Sequence, residues 1–350
     1  MIRCLILLLL CLPLAAAADS PVVVKIGAIY ALTGDWASWG RNCRQATELA
    51  LGEINKRSPG RKLVLVLEDS PNARPTNAVS AFKKLVDREQ VSYILGPMSP
   101  EEFAAIAPLA DRAGVPLLPF VSSRTSIPAA MFVWLDPETE ALRLADFVAD
   151  RHRRVAILSS DQEWEALVGQ IFGRRLLAKG VAVPTIEEPP FDSADVRSQV
   201  TKVKQLNPDA IFITSYLLFP KYMKGLHALR VNVPKYSIEL DQSTIAASGK
   251  TAEGLMFIRP AAPQDQFSAA FRARWQSEPD IPAAQCYDAV GILARALDAG
   301  VNDKASFVRY FHSFPPYNGA AGEIRVDNGR TIMSTEIFKV VDSKFVRFEK

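Results

Sequence analysis

Short apolar or β-branched runs alternate with amphipathic helical stretches along most of this 350-residue chain, and that alternation restricts the fold more than any other feature. VVVKIGAIY, residues 22–30, is the first run. Ala46, Leu49, Ala50 and Ile54 then share one helical face, with charges opposite. KLVLVL at 62–67 follows, then a helix capped by Thr76 with Ala78, Phe82, Leu85 and Val86 as its stripe. VSYIL at 91–95 leads into Ser99-Pro100-Glu101-Glu102, a capping-box pattern with Ser at the N-cap, Pro at N1 and Glu at N3. VPLLPF at 115–120 is the fourth strand. Strands linked by helices of this length pair in parallel through right-handed crossovers. Strands buried on both faces read as near-continuous apolar runs, as these do.

A second set starts at RVAILSS, residues 154–160, and continues through a helix carrying Leu167, Val168, Ile171 and Phe172. VAVPTIE (181–187), the Val196, Val200, Val203 helix, DAIFITS (209–215) and a helix over 220–229 complete it. Two similar α/β halves result, with a break around 134–142. Two helices, over 264–276 and 283–299, precede a tail of short strands separated by Asp327-Asn328-Gly329 and Asp342-Ser343, which predicts antiparallel ribbon.

Arg3, the apolar stretch 5–14 and the small residues 15–18 predict a cleaved signal peptide over residues 1–18. The apolar stretch is too short to span a bilayer, and no later stretch approaches the ~18 apolar residues a span needs. Removal leaves an exported chain of roughly 330 residues, enough for two domains. Cys43 and Cys286 then remain; two cysteines are no disulfide framework, and they read as separate buried thiols. A net charge of +3 gives no reason to expect nucleic acid.

Enzyme chemistry has no visible carrier. The chain lacks G-x-G-x-x-G after a strand, a phosphate-binding G-x-x-x-x-G-K-[ST] loop and a G-x-S-x-G elbow. His152, His227 and His312 are far apart, without metal-ligand spacing, so no metal or cofactor is expected. A two-lobed α/β chain of this kind points instead to ligand binding beyond the carboxyl ends of its strands.

KIGAIYALTGDWASWGRNCRQATELALGEIN, with YILGPMS, GVPLLPFVSS, AEGLMFIRP, CYDAVGILARAL and GEIRVDNGR in that order, resembles periplasmic solute-binding proteins of the branched-chain amino acid type. The resemblance implies two Rossmann-like lobes with parallel sheets, joined by a three-stranded hinge and closing on a ligand in the cleft between them. It places lobe 1 at 19–136 and 262–328 and lobe 2 at 137–261 and 329–350, with crossings near 133–137, 259–263 and 325–331. It also implies a monomer in the periplasm that captures a small polar metabolite, such as an amino acid or a related amide or carboxylate. An inner-membrane ABC permease would receive the cargo. A periplasmic ligand-sensing or protein-interaction subunit without a permease is the other use of such a fold.

The family pattern puts ligand contacts on Ser122, with Phe120 and Ser123 beside it. Ser99 either reaches the cleft or only caps its helix. Trp164 and Tyr216 fall at aromatic positions after strands of the second lobe, and the acidic position is Asp241, or Glu239 in a different register. Trp39-Gly40 fills an aromatic-Gly pair, with Trp39 packing at the helix start or lining the rim. Trp36, in the turn, touches ligand or the opposing lobe, or is buried under a loop. One departure stands out: Pro100 replaces a serine and offers neither hydroxyl nor N–H, while Glu101 and Glu102 repel a ligand carboxylate. Arg124 is a candidate substitute clamp.

Overall fold

A computed structural model describes residues 20–123, 125–327 and 330–348. The expected signal peptide, Arg124 and the Asn328-Gly329 turn lie outside the described residues. The first half runs β1 (Val22–Tyr30), α1 (Ala37–Arg57), β2 (Arg61–Asp69), α2 (Pro75–Lys83), β3 (Tyr93–Leu95), α3 (Pro100–Ala113) and β4 (Leu117–Leu118). The second runs α4 (Pro137–Ala149), β5 (Val155–Leu158), α5 (Glu163–Ala178), β6 (Ile186–Glu187), α6 (Arg197–Leu206), β7 (Ala210–Ile213), α7 (Phe219–Ala228), β8 (Lys235–Ile238), α8 (Gln242–Ser248) and β9 (Met256–Pro260). Then come α9 (Asp265–Trp275), α10 (Ala283–Asp298), α11 (Lys304–His312), β10 (Tyr317–Gly319), β11 (Gly322–Asp327), β12 (Arg330–Ile332), β13 (Thr335–Val341) and β14 (Lys344–Arg347).

Two sheets form. The first has the order β2-β1-β3-β4, all parallel. The second has the order β14-β13-β9-β8-β7-β5-β6, parallel from β9 to β6 and antiparallel at the β13 and β14 edge. Strand order reverses beside β1 in one sheet and beside β5 in the other, and such switch points open crevices at the strands' carboxyl ends. Helices α9, α10 and α11 return to the first sheet and share one core with β1 and α1. The chain passes between the sheets at three places that touch. Asp136 N–H donates to Thr331 O (3.0 Å), and Ala261 N–H donates to Ser334 O (2.9 Å).

Some strands are shorter than their apolar runs. Only Leu117–Leu118 of 115–120 and Ile186–Glu187 of 181–187 enter a ladder. Pro116, Pro119 and Pro184 supply no N–H and interrupt the pairing. β8 was not legible, because Lys235-Tyr236-Ser237-Ile238 carries no apolar run. The tail is antiparallel as expected but divided: β10, β11 and β12 form their own ribbon, while β13 and β14 extend the second sheet.

The reading of the cysteines as separate thiols is wrong. Cys43 on α1 and Cys286 on α10 form a disulfide, with Cα atoms 5.1 Å apart and a sequence separation of 243. The two helices pack face to face in the first core and bring the thiols together. Nothing local in the sequence records that approach.

Candidate functional site

The loop after β1 is held rigidly. Asp69 accepts from Leu32 N–H (2.8 Å) and from the Thr33 hydroxyl (2.7 Å), and Asn72 Oδ1 accepts from Asp35 N–H (2.9 Å). Gly34 has φ +85°, and a Cβ there would lie 2.0 Å from the Asn72 side chain. Gly40 is needed for close approach, since a Cβ would meet the Ala31 carbonyl at 2.0 Å. The Trp39-Gly40 pair therefore lets α1 start directly against the end of β1, with both tryptophans facing the second lobe.

Trp36 stacks on Tyr216, from the loop after β7, with centroids 4.8 Å apart and 26° between planes. Trp39 meets both rings edge-on, at 5.7 and 6.0 Å, and lies 5.5 Å from Trp134. An aromatic chain thus joins the first lobe, the second and a crossing segment. Trp39 is 5% exposed, whereas Trp36 is half-buried. Of the two, Trp36 makes the face-to-face contact across the cleft. Such a pair contributes about 0.5–1.5 kcal/mol beyond its buried area. Trp36→Ala is therefore expected to open the two lobes and raise the radius of gyration measured by small-angle scattering. An unchanged radius would mean that the stack does not hold the lobes together.

Behind this pair lies a small cavity of about 50 Å³, so the lobes as they stand are nearly closed on each other. Its walls are Trp36, Trp39, Phe120, Trp134, Trp164 and Tyr216, with Met98, Pro100, Val121, Ile238 and Leu240 between them. Gln162, Glu165, Ser215 and Glu239 bring the polar groups. The structure thus gathers Trp36, Trp39, Phe120, Trp164 and Tyr216 around one space.

The other sequence candidates sit elsewhere. Ser99 is 3% exposed and caps α3, accepting from Glu102 N–H (3.2 Å) in the expected capping box. Ser122 donates to Leu135 O (2.7 Å). Ser122 and Ser123 border a separate hollow with Asp136, Glu138 and Arg330. Asp241 is fully buried as the N-cap of α8, accepting from Thr244 N–H (2.8 Å), Ser243 Oγ (2.8 Å) and the Tyr216 hydroxyl (3.0 Å). It orients Tyr216 and does not line the cavity; Glu239, the other register, does. Glu239 adopts φ +50°, a left-handed conformation that costs a non-glycine residue energy and recurs at functional sites. Trp134 and Glu165 escaped sequence reasoning. Trp134 belongs to a crossing segment and follows no strand, and Glu165 reads as an ordinary first-turn acid.

The carboxyls here are unusual. Glu239 accepts from Trp134 Nε1 (2.9 Å), and burial pushes its carboxyl up to about 7. It faces Glu140, fully buried on α4, whose carboxyl is raised well above the ordinary range by burial and then by Glu239. Neither Glu140 oxygen has a hydrogen-bond partner among the described residues, and burial beside Glu239 favours its protonated form. Glu165 accepts from Tyr216 N–H (2.7 Å) and from the Ser160 hydroxyl, and burial raises it to about 7. Glu101 crosses the cleft: it accepts from Gln162 Nε2 (3.2 Å) and Glu163 N–H (3.3 Å), so a first-lobe carboxylate caps α5 of the second. Arg259 pairs with Asp280 (2.9 Å) and ties β9 to the loop before α10.

Residues 23–344 match the family described as periplasmic binding protein. Leu/Ile/Val-binding protein homolog 7 of Brucella suis biovar 1 is 25% identical over 222 residues, 58% of this chain and 55% of the relative. That match spans about half the relative's length. Leu/Ile/Val-binding protein homolog 3 of Brucella melitensis biotype 1 is 22% identical over 359 residues, 96% of this chain and 95% of the relative. Among solved structures, the leucine binding protein LivK of Thermotoga maritima superposes with a TM-score of 0.84 at 24% identity, covering 93% of this chain and 98% of that one. An ABC transporter solute binding protein of Rhodopseudomonas palustris BisB5, in complex with 3,4-dihydroxy benzoic acid, gives 0.83 at 22%, covering 93% and 96%. No helix among the described residues is long and apolar enough to cross a membrane. With two doubly wound sheets, three adjacent crossings and a match over almost all described residues, the chain belongs to the periplasmic binding protein family.

Proposed function

We propose that this protein captures a small, flat solute between its lobes in the periplasm and delivers it, as a monomer, to an inner-membrane ABC permease. The aromatic-walled cavity between the carboxyl ends of the two sheets carries this reading. Flat side chains cover an apolar ring at little entropic cost, and a mostly apolar pocket with a few fixed polar groups is typical of small-molecule sites.

Two features argue against an α-amino acid held in the family's usual way. The Ser122 hydroxyl is bound to Leu135 O, and Pro100 supplies no group for a carboxylate. Asp241, the expected partner of an amine, is saturated by its own helix and Tyr216. Proteins of this fold have been solved with 4-hydroxybenzoate and benzoate as well as with isoleucine, so the scaffold itself accommodates rings.

The test is a titration of refolded, ligand-free protein with α-amino acids and with substituted benzenes, followed by tryptophan fluorescence and thermal melting. Ring compounds should shift the fluorescence and raise the melting temperature through linkage; a ligand at ~100 Kd adds about 2.7 kcal/mol. If neither class shifts either signal, solute capture is the wrong reading. If leucine or isoleucine alone does, the ring preference is wrong.

A further inference from the structure

We propose that the cleft selects uncharged, hydrogen-bond-accepting rings and rejects carboxylate anions. The proposal rests on the solute-capture reading and names its ligand class.

Charge comes first. Glu165 and Glu239 line the cavity, and Glu101 and Glu102 stand next to Pro100 at its wall. No Lys, Arg or His lines it among the described residues. The cations packed nearby are engaged elsewhere: Arg259 with Asp280 (2.9 Å), and Arg143 with the Thr335 carbonyl and hydroxyl. A ligand carboxylate entering here would be desolvated beside several acids with no counter-charge among the described residues, which is strongly unfavourable. The N-terminus of α5, the natural place for an anion, is already capped by Glu101. The protein has in effect put its own carboxylate where a ligand's would go.

Hydrogen-bond accounting then fixes the complement. Glu165 uses both oxygens on Ser160 and Tyr216, and Glu239 accepts from Trp134. The open polar atoms on the cavity's residues are donors. The indole Nε1 atoms of Trp39 and Trp164 are buried and have no acceptor among the described residues. A buried donor left unpaired costs on the order of 1–3 kcal/mol, so a ligand oxygen or ring nitrogen that accepts from these indoles is favoured. A purely cationic ligand would satisfy neither donor.

Isothermal titration at pH 8 with benzamide, benzoate and phenyltrimethylammonium tests this, because the three share a ring and differ in charge. Benzamide should bind at least tenfold more tightly than either ion. In Glu101→Gln, which removes a charge and keeps one of the two cross-cleft hydrogen bonds, the benzamide-to-benzoate ratio should fall several-fold. A merely structural role for Glu101 would weaken both ligands alike and leave the ratio unchanged, and that result would overturn its part. Benzoate binding as tightly as benzamide, or the ammonium compound binding best, would overturn the charge selection while leaving solute capture intact. Failure of every ring compound would overturn the ligand class, and failure of the α-amino acids as well would overturn solute capture.

Discussion

Reducing the Cys43–Cys286 disulfide is expected to lower the unfolding free energy by about 2–5 kcal/mol. The bond closes a loop of 243 residues that contains the whole of the second sheet except β13 and β14. A long closed loop removes much conformational freedom from the unfolded chain. In the folded state it joins two helices of one core and asks nothing of the cleft. Urea unfolding with and without dithiothreitol measures the effect, and the double variant Cys43→Ser/Cys286→Ser should match the reduced protein. A loss smaller than ~0.5 kcal/mol would show that residual structure in the unfolded chain already brings the two helices together.

Stability should also fall as pH rises from 5 to 8, against the habit of proteins rich in ion pairs. Burial raises Glu102 and Glu165 from 4.5 to about 7 and Asp288 from 3.8 to about 7. Between the unfolded and folded values the native state binds more protons than the unfolded one, so the slope of stability against pH is negative there. The contribution is present in full near pH 4 and is lost as pH passes through about 7. Each group is worth on the order of 1–3 kcal/mol in this sense. The Glu140–Glu239 pair has the same sign, since a second charge must appear beside the first as pH rises. Asp288 holds the turn before β11 by accepting from Ala320 N–H (2.6 Å) and Ala321 N–H (2.7 Å), so that turn should loosen with the rest. Unfolding curves at pH 5, 6, 7 and 8 decide the matter. Glu165→Gln should flatten the profile, and a profile that is level or climbs would refute the assignment.

How far the cleft was readable depended on distance along the chain. Trp36, Trp39, Phe120, Trp164 and Tyr216 follow strand ends, and parallel sheets bring their carboxyl ends to one edge, so the alternation together with the family resemblance places them near a common space. Ser99 at its cap was equally legible, because a capping box is made within four residues. Ser122 and Asp241 show where such reasoning stops. Each follows a strand in the right place, yet one donates to Leu135 and the other caps α8. A shift of two residues hands the cavity to Glu239. Trp134 could not be found at all, since nothing periodic marks a crossing segment.

Sequence by itself determined the strand–helix alternation, hence two parallel sheets, and the family, because those follow from periodicity and short motifs that neighbouring residues encode. Tertiary structure decided the rest. It alone paired Cys43 with Cys286 across 243 residues, stacked Trp36 of one lobe on Tyr216 of the other, and set Glu101 on the end of α5. These contacts depend on the relative placement of whole lobes, which is fixed by the sum of many packed side chains and by no local pattern.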